Sequence, residues 1–127
     1  MRSAMYDVLA SIAKTEFGDI VTGWEFVYRK AATPLKLRLT IRDGTFVDIW
    51  LSPDTERYSY HWEQRAARGL IHQHDNAPDH PEVFTFPKHF HDGQEDNVRV
   101  SSIPDDAELA VREFLSFVRS SLERSSG

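Results

Sequence analysis

All six histidines of the chain stand between positions 61 and 91: His61, His72, His74, His80, His89 and His91. Packing alone rarely gathers a residue type into one third of a sequence. Imidazole titrates near neutral pH, so it can take a proton from a nucleophile or return one to a leaving oxygen. Neutral imidazole also binds zinc, nickel or ferrous iron, and Asp75 and Asp79 are at hand as carboxylate ligands. The bland reading competes for each one, because a loop histidine often does no more than satisfy a backbone group. His61 and His72 are the plainest candidates for that role. The chain has no cysteine, which excludes disulfides, thiolate metal sites and a cysteine nucleophile.

A second set of residues could meet an anion. Lys36, Arg38 and Arg42 recur on one face of an alternating run, suited to phosphate, and Phe46 or Trp50 could stack on a base. A charged face on a half-buried hairpin is more commonly solvated surface.

The elements that must position these residues follow from periodicity. Met5, Val8, Leu9, Ile12 and Ala13 keep a helical spacing within 1–17, and Gly18 suits a left-handed cap. Trp24, Phe26 and Tyr28 then alternate as a strand. Leu35, Leu37, Leu39 and Ile41 oppose Lys36, Arg38, Thr40 and Arg42, which gives a second strand. A three-residue loop, Arg42-Asp43-Gly44, sets Val47 opposite Leu39 and Asp48 opposite Arg38. A two-residue turn would put Asp48 among the leucines, so burial selects the longer loop with Gly44 left-handed. Phe46, Asp48 and Trp50 then share the cationic face. Arg57 to Glu63 is a strand with Tyr58, Tyr60 and Trp62 on one side, Gln64 to Gly69 a loop, and Leu70 to Asp75 the returning strand. His72 and His74 share a face there. From Asn76 to Asn97 little period is seen beyond a short Phe84-Thr85-Phe86 segment, although His89 and His91 would share a side if extended. A loop of that length in a small domain suggests function. Pro104-Asp105-Asp106 opens a last helix with Ala107, Ala110, Val111, Phe114, Phe117 and Val118 as its apolar stripe. Trp24, Phe26, Tyr28 and the aromatics of that helix read as core.

The fold expected is α+β: a mostly antiparallel sheet of about five strands, with an N-terminal and a C-terminal helix on one face. At 127 residues the chain is expected to form a single domain over 1–127, with 121–127 a disordered tail. The net charge of −5 counts against binding nucleic acid by bulk charge. The acids concentrate beyond Leu70, so the front part can still hold a local cationic patch. No run approaches a membrane span, and Asp7 and Glu16 in the first helix argue against a signal peptide. A cytoplasmic protein that meets no membrane is expected.

Three blocks in order carry a resemblance. They are Arg57-Tyr58-Ser59-Tyr60-His61-Trp62, then Asp75-Asn76-Ala77-Pro78-Asp79-His80-Pro81, then Phe86-Pro87-Lys88-His89-Phe90-His91. Together they resemble the TumE family of toxins, over most of the chain after about Leu35. Asp79 and Lys88 stand where that family tends to have histidine. The resemblance implies the toxin of a type II toxin–antitoxin pair, neutralised by a protein antitoxin with a helix-turn-helix DNA-binding domain. It implies no particular active site.

Small toxins directed at translation commonly attack RNA, and by that analogy the residues suggest a metal-independent ribonuclease. His80, His89 and His91 would carry the chemistry. Asp75 and Asn76 would orient a histidine or bind a sugar hydroxyl, and Tyr60 would donate to phosphate. Lys88 or Arg38 would stabilise the developing charge, and Trp50 would stack. No cofactor is expected on this reading. The alternatives are a non-enzymatic protein-binding module and a histidine-ligated metalloenzyme. An enzyme needs at least two histidines and a cation converging in an open cleft, whereas a docking module would bury its histidines against one another.

Overall fold

The computed structural model describes residues 2–29 and 35–126. The elements run α1 (Arg2–Glu16), β1 (Val21–Val27), β2 (Lys36–Ile41), β3 (Phe46–Leu51), β4 (Tyr58–Gln64), a one-turn α2 (Arg65–Arg68), β5 (Leu70–Asp75), β6 (His89–Gly93), β7 (Val98–Val100) and α3 (Ala107–Ser126). The strands form one antiparallel meander in chain order. The sheet has seven strands, not about five: the region between Asn76 and Asn97 contains β6, and β7 follows it. The α+β architecture stands. Among the described residues no helix is long and apolar enough to cross a membrane.

One face of the sheet is covered by the helices and the other is left open. The β2–β3 hairpin pairs Leu39 with Val47 and Arg38 with Asp48, and Gly44 takes φ 91° in its loop. A side chain at that left-handed position would be strained, which is why glycine closes the turn. Asp43 Oδ1 accepts from the Thr45 amide at 3.0 Å and its hydroxyl at 2.6 Å. Thr45 in turn accepts from the Trp62 indole at 2.8 Å. The turn is thereby tied to the core.

Leu37, Leu39, Ile41, Val47, Ile49, Leu51, Tyr58, Tyr60 and Trp62 face Leu9, Ile12, Ala110, Phe114 and Val118 in a single cluster. Arg112 and Arg119 of α3 pair with Glu16 at the end of α1 and with Asp19 in the turn just after it. Exposed pairs of this kind are screened by solvent and contribute little, so apolar burial holds the helices down. Tyr6 binds the first helix to the sheet more specifically. Its hydroxyl donates to Leu35 O at 2.7 Å and accepts from the buried Leu51 amide at 2.9 Å. Tyr6→Phe strands that amide and is expected to cost about 1–3 kcal/mol in a urea melt.

Several local expectations need correction. Gly18 is not left-handed: the positive-φ glycines are Gly44, Gly69 and Gly93. Space restricts it instead, because a Cβ there would stand 3.0 Å from Lys14 O. Trp24 and Tyr28 are not core, being 44% and 49% exposed. They lie on or just beyond β1, an edge strand that the helices do not fully cover; only Phe26 packs against the cluster. Val8 is also exposed, and Tyr6 and Ala10 join the buried side of α1 in its place. Gln64 to Gly69 is not wholly loop, since Arg65–Arg68 makes one helical turn. The tail expected over 121–127 is helical as far as Ser126, with Leu122 buried one turn beyond Val118; Gly127 lies outside the described residues.

Candidate active site on the open face of the sheet

Strand pleating decides which histidines can meet. On β5 and β6, Leu70, His72, His74, Phe90 and Asp92 point to the helix side, because Tyr60 pairs with His74 and His74 with Phe90. His74 stacks on Phe90 at 4.2 Å and meets the edge of Phe114. Burial lowers its pKa to about 4, which makes it a neutral core histidine. His72 lies between Trp62 and Phe117, and burial lowers its pKa also. Both serve packing.

The alternate residues, Gln73, Asp75, His89 and His91, project from the open face. Asp75 is directly opposite His89, and Gln73 opposite His91. The segment between the strands folds back and sets His80 over the pair. Ring centroids are 4.7 Å apart for His80 and His89, 4.8 Å for His89 and His91, and 5.8 Å for His80 and His91. One nitrogen of each ring lies within 4.8 Å of the others. Asp75 Oδ1 is 3.2 Å from His89 Nε2, and Oδ2 is 3.6 Å from His91 Nε2.

The Asp75 carboxylate is strongly held. Burial would raise its pKa, but His91, the Gln73 amide at 2.7 Å and the Ala77 amide at 3.0 Å together bring it to about 2. The same carboxylate raises the pKa of His91. Gln73 passes the contact on, since its Oε1 accepts from His61 Nδ1 at 2.6 Å, and His61 Nε2 reaches Glu63 at 3.0 Å. A polar chain therefore runs across three strands of the open face, from Glu63 to the histidines. His61, one of the two histidines expected to be bland, belongs to it.

These groups line a cleft of about 290 Å³ with Trp50, Arg57, Ser59 and Asp79. Of the residues expected at the site, the fold gathers His80, His89, His91, Asp75 and Trp50. Arg38 lies outside the cleft on β2, four strands from β6, where it grips Asp48 through two bonds of 2.8 and 2.9 Å and stacks on Phe46. Lys88 and Asn76 line a neighbouring groove with Phe86 and Asp105. The Lys88 ammonium donates to Ile103 O at 2.7 Å. Asn76 brackets the chain by accepting from the Tyr58 amide and donating to Glu56 O, so its amide is already used.

Tyr60 is a correction. It is fully buried on the helix face, packed on Phe114, and its hydroxyl has no hydrogen-bond partner among the described residues. Burial raises its pKa, so it cannot reach or serve the cleft on the other side of the sheet. Tyr60→Phe is expected to leave toxicity unchanged and stability equal or slightly higher, as growth assays and melts would show.

Arg57 is the residue that inspection of the sequence passed over. It is exposed at the cleft, and its guanidinium makes no hydrogen bond among the described residues, only a longer-range attraction to Asp54. Its position at the head of the Arg57–Trp62 block was the available signal. Ser59 could have been found too, because strand alternation puts it opposite Asp75.

A family model described as Toxin TumE matches residues 9–122. The chain belongs to the TumE toxin family. It is the toxin of a toxin–antitoxin system, and its general partner is an antitoxin. The matched span includes all three sequence blocks and every residue of the cleft. No curated protein and no solved structure matches this chain.

Proposed function

We propose that this TumE toxin arrests growth by cutting RNA in the cleft between Trp50 and His80. The observation that carries the reading is the convergence of three imidazoles and the Asp75 carboxylate beside an unengaged guanidinium, Arg57. Each component answers a need of phosphodiester cleavage. Arg57 can take the phosphate by a bidentate contact. Trp50 offers a ring on which a base can stack. The histidines can draw a proton from the attacking oxygen and supply one to the leaving oxygen, with Asp75 fixing their orientation. Lys36 and Arg38 have a different role, neutralising Asp48 on the same face.

On this reading the antitoxin is of type II, a protein with a helix-turn-helix DNA-binding domain encoded beside the toxin, and both act in the cytoplasm. Inducible expression in a bacterium, with and without the neighbouring gene, tests the reading when total RNA is examined. Growth arrest with cleaved RNA, relieved by the neighbour, is expected. Arrest with intact RNA would remove RNA as the target.

A further inference from the structure

The hydrogen bonding of the three clustered histidines has a common form. His89 Nδ1 is 3.1 Å from Pro87 O, and His91 Nδ1 is 2.8 Å from Glu95 O. His80 Nδ1 is 3.1 Å from the Glu82 carboxylate. A carbonyl or carboxylate oxygen can only accept, so each Nδ1 carries the hydrogen and each ring keeps Nε2 as its remaining nitrogen. Metal-binding histidines show this arrangement, in which the far ring N–H is anchored to a carbonyl or carboxylate. Three of three here are so anchored, by three different acceptors.

The contacts on the other side agree. Nε2 of His89 and of His91 both face Asp75, at 3.2 and 3.6 Å. With Nδ1 committed to an acceptor, each Nε2 can face a carboxylate only if positive charge is supplied there, by a second ring proton or by a bound cation. Two ligands sharing one zinc ion, each bonded at about 2.0–2.2 Å, stand roughly 3.0–3.5 Å apart. The imidazole nitrogens, within 4.8 Å of one another, need to close by roughly 1–1.5 Å to reach that spacing. His80 is borne on the connecting segment and can supply most of the movement, whereas Asp75, His89 and His91 are fixed by strand pairing.

We propose that His80, His89 and His91, with Asp75 as fourth ligand, bind one divalent transition ion of the zinc type. Three imidazoles and one carboxylate suit zinc or cobalt and are a poor match for magnesium or calcium, which prefer all-oxygen sites. Asp79 and Glu82 add negative charge at the rim. The ion would take the place of the proton-carrying role given to these imidazoles above, while Arg57 and Trp50 keep theirs. Its binding does not depend on RNA being the substrate.

The test uses the full chain without a histidine tag, stripped by chelator and checked for folding by circular dichroism. Cobalt is titrated while the visible absorption of a tetrahedral site is read, and zinc is then added in competition. One ion per chain is expected, displaced by zinc. His80→Ala, at a surface position, and His91→Ala should each weaken binding by about a hundredfold or more. Arg57→Ala removes no ligand and should keep the ion while losing RNA cleavage. Folded protein that takes up neither metal, or that binds it equally well in the His80→Ala and His91→Ala variants, would overturn the site. An ion bound as expected beside intact RNA would leave the site standing and remove the RNA reading. RNA cut at full rate by chelated protein would keep the RNA reading, return the proton-carrying role to the imidazoles and overturn the ion's part in the chemistry.

Discussion

Replacing His89 and His91 together by alanine is expected to abolish growth arrest and leave cellular RNA uncut, while the domain remains folded. The two rings stand side by side on β6, opposite Asp75 and Gln73, and both face the Asp75 carboxylate. Whether they move protons or hold an ion, the double substitution removes two of the three nitrogens on which the cleft depends. Loss of general acid–base catalysis alone costs about 10²–10⁴ in rate. His89 is almost wholly buried, so some loss of stability accompanies the change. Circular dichroism and a urea melt of the double variant separate that loss from the chemical one. Arrest at wild-type strength in a folded double variant would remove the cleft from the account.

Phe114→Ala is expected to silence the toxin for a different reason. Phe114 is buried at the centre of the α3 stripe, against Tyr60, His74 and Phe117. Removing its ring leaves a cavity between helix and sheet, and such changes cost about 3–5 kcal/mol. That is a large share of the roughly 5–15 kcal/mol by which domains are stable. The variant should melt far earlier and lose toxicity in proportion to its folded fraction. The site itself is untouched, since Phe114 lies on the opposite face of the sheet. The two variants together distinguish a toxin that has lost its chemistry from one that has lost its frame.

The hairpin of β2 and β3 was legible because every second residue is aliphatic and a glycine stands where the loop needs one. Leu39 opposite Val47 and Asp48 opposite Arg38 followed from burial alone. The last helix was legible for the same reason, with its stripe facing the sheet. β6 was not. In His89-Phe90-His91-Asp92-Gly93 only Phe90 is apolar: His89 and His91 face the open cleft, and Asp92, on the helix side, pairs with Arg99 rather than entering the core. A functional strand of this kind loses the alternation by which strands are recognised. β7 has only three residues, too few for a period to show.

The candidate site was legible in part for a related reason. Clustered histidines pointed to the stretch of chain that supplies His80, His89 and His91 to the cleft, and the pairing of His89 with His91 across one residue was visible if the chain was extended. What could not be read was the direction of each face. Tyr60 shares alternation with Tyr58 and Trp62, and Ile49 is its partner on β3, so it belongs to the aliphatic side. That register runs through three strands, and short-range pattern does not carry it. Lys88 and Asn76 are near the histidines in sequence, but they turn into another groove and are spent on backbone oxygens and an amide. Arg57 is distant in sequence and is brought to the cleft by the pairing of β4 with β5.

The most direct test of the histidine cleft as the toxin's reactive centre uses purified protein and one end-labelled RNA oligonucleotide. Wild-type chain, supplied with zinc, should convert the RNA to discrete shorter products. The His89→Ala/His91→Ala chain, folded to the same extent, should leave it whole. RNA that stays intact with wild-type protein, at concentrations that arrest growth in cells, would contradict the account.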